Sequence, residues 1–194
     1  MELTDFVKIY GNILTRILAW CRVLAIIALG LMVVCILIQV FFRYILNNAL
    51  PWPDEAARFC MLWMTGLMAP SAYRWGSFVS IDIIKDFMGK TLGGLFNLLI
   101  LVLGIFTLFV ALWFANKHIA SGWLFNSSSL KIPLSLIGME SIRIKLAWMY
   151  MSLPTGFVLM VLVGLELIIQ QIHTLLNSNV SYPSPYDKIS SATE

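Results

Sequence analysis

Between Arg22 and Arg43 run 20 residues, Val23 to Phe42, without a single charge and with Gln39 as the only strongly polar side chain. Wound as a helix at 1.5 Å per residue, that run is about 30 Å long, the thickness of a bilayer's hydrocarbon core. It ends in Phe41, Phe42, Arg43 and Tyr44, not in the small residues of a signal-peptide cleavage site, so it reads as a retained anchor. A second uncharged run, Thr91 to Asn116, has 26 residues and can cross with tilt. The 194-residue chain is 60% hydrophobic and 12% charged, against roughly 45–50% and 25% in soluble domains. A surface this apolar requires lipid over part of it. The expected fold class is an all-α integral membrane protein, with four transmembrane helices plus short amphipathic interfacial helices in one membrane domain.

The remaining segments follow from where charges, prolines and tryptophans fall. Residues 1–19 carry Leu3, Phe6, Tyr10, Ile13, Leu14 and Ile17 at helical spacing and predict an amphipathic surface helix, the alternative being an extension of the first span. The first span is expected over 20–43. The run Phe59 to Tyr73 is too short alone, but Pro53 suits a first helical position and Asp54 and Glu55 suit a first turn, which predicts a second span over 53–75. Pro70 should kink it. An interfacial helix is expected over 76–90 and a third span over 91–117. An apolar connector is expected over 118–145. A fourth span follows over 146–173, bent at Pro154 and Gly156. The Pro183- and Pro185-containing tail, 177–194, reads as disordered. Six of the seven tryptophans, Trp20, Trp52, Trp75, Trp113, Trp123 and Trp148, fall at the ends of these spans, the level an amphipathic indole prefers.

Several function classes lose their footing on composition. The net charge of +3 is scattered and forms no basic stripe, so nucleic acid is not an expected partner. Cys21, Cys35 and Cys60 show no CxxC spacing and read as small apolar residues. His118 and His173 stand far apart without a ligand pattern, so no metal or other cofactor is expected in this chain. No nucleophile or metal-protease motif supports an enzyme. Glu166, followed by Gln170 and Gln171, reads as a carboxylate near an interface in preference to a proton relay.

The densest polar cluster lies between the first two spans: Arg43, Asn47, Asn48, Trp52, Asp54, Glu55 and Arg58. On a helix starting at Pro53, Arg58 reaches Asp54 at four residues and Glu55 at three. The pairing is either a surface cap or a buried anchor facing a partner. Trp63 likewise reads either as an interface anchor or as an internal packing residue, with Met61, Met64 and Met68 close by in sequence.

Taken in order, Phe42-Arg43-Tyr44, Asn47, Trp52-Pro53-Asp54-Glu55-Ala56-Ala57-Arg58, Trp63, Gly66, Ala72, Arg74 and Ile81-Asp82 resemble the small membrane subunit of tripartite ATP-independent periplasmic (TRAP) transporters. Trp148, Tyr150, Leu153-Pro154 and Gly156-Phe157 are similar to the start of that family's fourth helix. The resemblance covers roughly residues 20 to 175. Ser77 to Ser80 stand where the family often has a histidine, so no role for one carries over.

The resemblance implies a non-enzymatic scaffold in sodium-coupled secondary transport. A periplasmic binding protein delivers an organic anion, a carboxylate or sialic acid, and a large multi-span subunit carries it inward and holds the sodium. The small subunit braces the large one and helps dock the binding protein. Arg43, Asn47, Trp52, Asp54, Glu55, Arg58, Trp63, Arg74 and Asp82 are the candidate interface or structural residues. Lipids are further partners. The implied location is a bacterial inner membrane, with both termini cytoplasmic. Lys8, Arg16 and Arg22 before the first span agree with that orientation, while Lys117, Lys131, Arg143 and Lys145 argue against it. The alternative is an accessory or assembly subunit of another bacterial inner-membrane complex.

Overall fold

The computed structural model describes residues 3–75, 82–132 and 142–176. Their order is α1 (Leu3–Tyr44), α2 (Trp52–Arg74), α3 (Asp82–Gly122), β1 (Asn126–Ile132), β2 (Ile142–Lys145), α4 (Ala147–Tyr150) and α5 (Ser152–Leu176). The fold is that of a helical membrane protein carrying one small hairpin. Among the described residues, three stretches are long and apolar enough to cross a bilayer: Ile9–Tyr44, Leu92–Gly122 and Ala147–Leu176. The helix α2 is not among them: Arg58 lies within its first third, and Thr65, Gly66, Pro70 and Ser71 make its middle less apolar.

Element by element, the structure refines the expected boundaries. A surface helix over 1–19 was expected to precede the first span, yet α1 runs unbroken from Leu3 to Tyr44. No proline precedes Pro51, and Arg22 alone does not interrupt a helix. The helix stops where Asn47 takes a φ of 47°, a left-handed conformation that asparagine accepts more readily than most side chains. The Asn48 N–H then donates back to the Phe42 carbonyl at 3.0 Å. Within the expected interfacial segment 76–90, residues 76–81 lie outside the described ones, and from Asp82 onward the backbone is already that of α3. The tail over 177–194 also lies outside them.

The connector expected over 118–145 contains ordered strands. Helix α3 continues to Gly122, and β1 pairs antiparallel with β2, Lys131 opposite Arg143 and Ile132 opposite Ile142, with an irregular register between Asn126 and Lys131. The segment expected as a fourth span, 146–173, is interrupted early: α4 is a single turn, and α5 starts at Ser152 after a turn at Met151. Pro154 explains the break, since it has no N–H to offer the Tyr150 carbonyl four residues back.

The described residues form two compact units, one within stretches 1–20, 69–111 and 157–194, the other within 21–68 and 112–156. In the first, Leu14, Leu18, Tyr73, Leu101 and Val163 form a buried core, flanked by Tyr10, Met160, Leu162, Leu167 and Ile168. The Tyr10 hydroxyl donates to the Leu162 carbonyl at 3.0 Å. Gln171 joins α5 to α3 twice, accepting from Asn97 Nδ2 at 3.0 Å and donating to the Gly94 carbonyl at 3.2 Å.

The second unit depends on a close backbone crossing. A Cβ added to Gly66 would lie 2.4 Å from the Ser152 carbonyl oxygen, and one added to Gly156 would lie 2.6 Å from the Gly66 oxygen. Pro70 cannot donate to that same Gly66 carbonyl. Apolar burial gives little drive between helices in lipid, so close approach at small residues supplies the attraction. Gly156→Val is therefore expected to lower the melting temperature of the detergent-solubilised chain by several degrees, an overpacking cost of about 1–3 kcal/mol. Gly30→Val, at a position with nothing within 4 Å of an added Cβ, is expected to leave it unchanged.

Candidate functional site

The sequence-predicted residues separate into two groups. In the second unit, Arg43 closes α1 with its guanidinium carbon 5.8 Å from the centroid of the Tyr44 ring. Asn47 provides the left-handed turn after α1. Trp52 begins α2, with Pro53 buried behind it and Asp54 and Glu55 in the first turn, where carboxylates meet the positive end of the helix dipole. Arg58 pairs with Asp54 at 2.9 Å, but the two side chains are 65% and 50% exposed. Within this chain that is a surface pair, worth about 0.3–0.5 kcal/mol at helical i,i+4 spacing.

Glu55 takes a different partner from the one its spacing to Arg58 allows. Its carboxylate accepts from the Ser128 N–H at 3.3 Å, the Ser129 N–H at 2.8 Å and the Ser129 hydroxyl. The same hydroxyl lies 3.1 Å from the Pro51 carbonyl oxygen. One carboxylate thus fixes β1 to the start of α2. Nothing local in the sequence announces this contact, which spans more than 70 residues. Trp63 also turns inward: its indole N–H donates to the Trp148 carbonyl at 3.2 Å.

In the first unit, Arg74 sits in the last turn of α2, where a cation favours the negative end of the helix dipole. Its Nη2 lies 2.6 Å from Glu166 Oε1 and 3.2 Å from the Gly11 carbonyl oxygen, and its Nη1 donates to Thr15 Oγ1 at 2.7 Å. Thr15 passes its own hydroxyl proton to the Gly11 carbonyl at 2.6 Å, which leaves a lone pair for Arg74. Gln170 Nε2 reaches Glu166 Oε1 at 3.4 Å. A Cβ on Gly11 would stand 2.9 Å from that carboxylate oxygen, so the glycine makes room for it. Glu166, expected near an interface, is only 2% exposed at its side chain, with Arg74 at 17%. Among the described residues Glu166 Oε2 and the buried Ser71 Oγ have no hydrogen-bond partner. Asp82 is the first residue of α3.

This geometry brings Arg74 to Glu166 and Asp54 to Arg58, and takes Glu55 to the hairpin. It binds three carboxylates structurally and presents none as a reactive group. Among the described residues, no group of three or more His, Cys, Asp and Glu is placed to hold a metal ion. Cys21 is buried, Cys35 and Cys60 are half-buried, and all three are free.

Glu55→Gln weakens the acceptor shared by two backbone amides while keeping its shape. The Ser128 and Ser129 amides are expected to exchange with solvent deuterium roughly tenfold faster in that variant, the loss of about one hydrogen bond to a charged group. Amides of α5 should keep their rates.

A search of curated proteins finds none that matches the chain. The family model described as "Tripartite ATP-independent periplasmic transporters, DctQ component" matches residues 32–174, well over half of the chain. That stretch includes both ends of α2, the hairpin and the Arg74–Glu166 bridge. The chain belongs to the DctQ component family of tripartite ATP-independent periplasmic transporters.

Proposed function

We propose that this chain is the small scaffold subunit of a sodium-coupled secondary transporter. It braces a large multi-span subunit that imports an organic anion, a carboxylate or sialic acid, delivered by a periplasmic binding protein, and it helps that protein dock. The observation that carries the reading is where the apolar surface lies. In the most apolar window of α1, and of α3, only 6% is buried inside the chain, against 33% in α5. On α1, Ile26, Leu31 and Leu37 point outward, and on α3 Phe106, Phe109 and Phe114 do the same. Lipid covers such a surface in part, and a large apolar partner covers the rest.

In this reading α2 also crosses the membrane, as the second of four spans. Its uncharged middle, Phe59 to Tyr73, is about 22 Å long as a helix. The Asp54–Arg58 and Arg74–Glu166 pairs neutralise four charges, two of them at its start and one in its last turn. The membrane is the bacterial inner membrane, with both termini on the cytoplasmic side. Glu55, Trp63 and Arg74 act inside the chain to hold its shape. Arg43, Asn47, Trp52, Asp54 and Arg58 are the partner-facing group, and Asp82 is a further candidate. Sodium and substrate bind in the large subunit.

The experiment is affinity purification of the tagged chain from its native membrane in mild detergent, followed by identification of what travels with it. A stoichiometric large transport subunit is the expected partner, and Arg58→Glu should reduce its recovery several-fold without lowering membrane insertion of this chain. Recovery of an unrelated complex would instead establish an accessory or assembly subunit of another inner-membrane machine.

A further inference from the structure

The C-terminal turns of α3, the corner that follows them and the end of β2 carry a concentration of aromatic rings and cations, and the scaffold role gives the cations no part. Trp113 and Phe114 are 67% and 62% exposed, and Lys117 Nζ lies 5.7 Å and 6.0 Å from their ring centroids. At the corner, Leu124 and Phe125 are 80% and 61% exposed. Lys145 Nζ stands 5.5 Å over the Trp123 ring and donates to the Trp123 carbonyl at 3.2 Å. Ring contacts join the pieces, Trp123 to Trp148 at 6.5 Å and His118 to Tyr150 at 5.1 Å.

Charge decides what covers this surface. The described carboxylates of the second unit are Asp54 and Glu55, and both are engaged elsewhere, with Arg58 and with the backbone of β1. Lys117 and Lys145 therefore have no carboxylate partner among the described residues. Each ammonium is held at a ring face, which fixes its position but leaves most of its hydrogen-bonding capacity open. Exposed tryptophans beside lysines, next to an apolar corner, match the level where acyl chains give way to phosphates.

We propose that this patch binds an anionic phospholipid, with Lys117 and Lys145 pairing with its phosphate and glycerol headgroup oxygens while Trp113, Phe114, Trp123 and Phe125 pack against the upper acyl chains. The site requires no particular orientation of the chain and no transport partner. It accounts for lysines in a connector whose charge argues against the orientation of the first span.

The test is native mass spectrometry of the full chain in detergent micelles titrated with phosphatidylglycerol or with phosphatidylcholine. Phosphatidylglycerol should bind roughly thirtyfold more tightly, as about 1 kcal/mol for each of two lysines near a headgroup implies. The Lys117→Gln/Lys145→Gln variant should bring the two lipids to near parity with an unchanged melting temperature, and Lys117→Arg/Lys145→Arg should keep the preference. Equal binding by the wild-type chain would overturn the proposal, as would a preference that survives the double glutamine variant. Displacement by millimolar inorganic phosphate would overturn it too, by showing an anion site without lipid. Loss of a co-purifying protein with lipid binding intact would make the patch a protein interface instead.

Discussion

A charge buried between apolar helices needs a counter-charge beside it, and the bridge from Arg74 to Glu166 is where this chain meets that demand. Removing a guanidinium and a carboxylate from water costs several kcal/mol for each ion unless geometry and further hydrogen bonds compensate. Here compensation comes from α1: the Gly11 carbonyl and the Thr15 hydroxyl both accept from Arg74, and the missing side chain of Gly11 admits the carboxylate. Three helices that lipid gives little reason to associate are thereby committed to one another. The core of Leu14, Leu18, Tyr73, Leu101 and Val163 lies in the same unit.

The second unit solves a different problem, how to attach a hairpin to helices. Glu55 does so with one carboxylate, accepting from two successive backbone amides and a hydroxyl of β1. Trp63 adds a bond to the α4 backbone, and Gly66 and Gly156 allow their helices to touch at backbone level. Glu55, Trp63, Arg74 and Glu166 thus direct their polar groups inward. What remains outward on α1 and α3 is mostly apolar, Ile26, Leu37, Phe106 and Phe109 among it.

Much of this was legible in the sequence. The uncharged runs located the apolar parts of α1 and α3, and Pro53, Asp54 and Glu55 marked the start of α2, because each signal is local. The tryptophan-acid-acid-arginine run also carried the family resemblance. The continuity of α1 corresponds to the alternative reading of residues 1–19, an extension of the first span, and not to a separate surface helix. The hairpin was missed, yet Ile142 and Ile144 alternate with Arg143 and Lys145 in the period-2 pattern of a strand. The partner of Glu166 could not be read at all: Arg74 lies 92 residues away, and no pattern within one segment encodes a pairing between segments.

The most direct measurement is a double-mutant cycle on the melting of the detergent-solubilised chain, with Arg74→Met, Glu166→Leu and the two combined. Each single change leaves one buried ion without its partner and should cost about 3–5 kcal/mol, while the double variant, apolar on both sides, should be more stable than either single one. Losses that simply add would contradict the account, since they would mean that the two side chains act independently and that the bridge does not hold α1, α2 and α5 together.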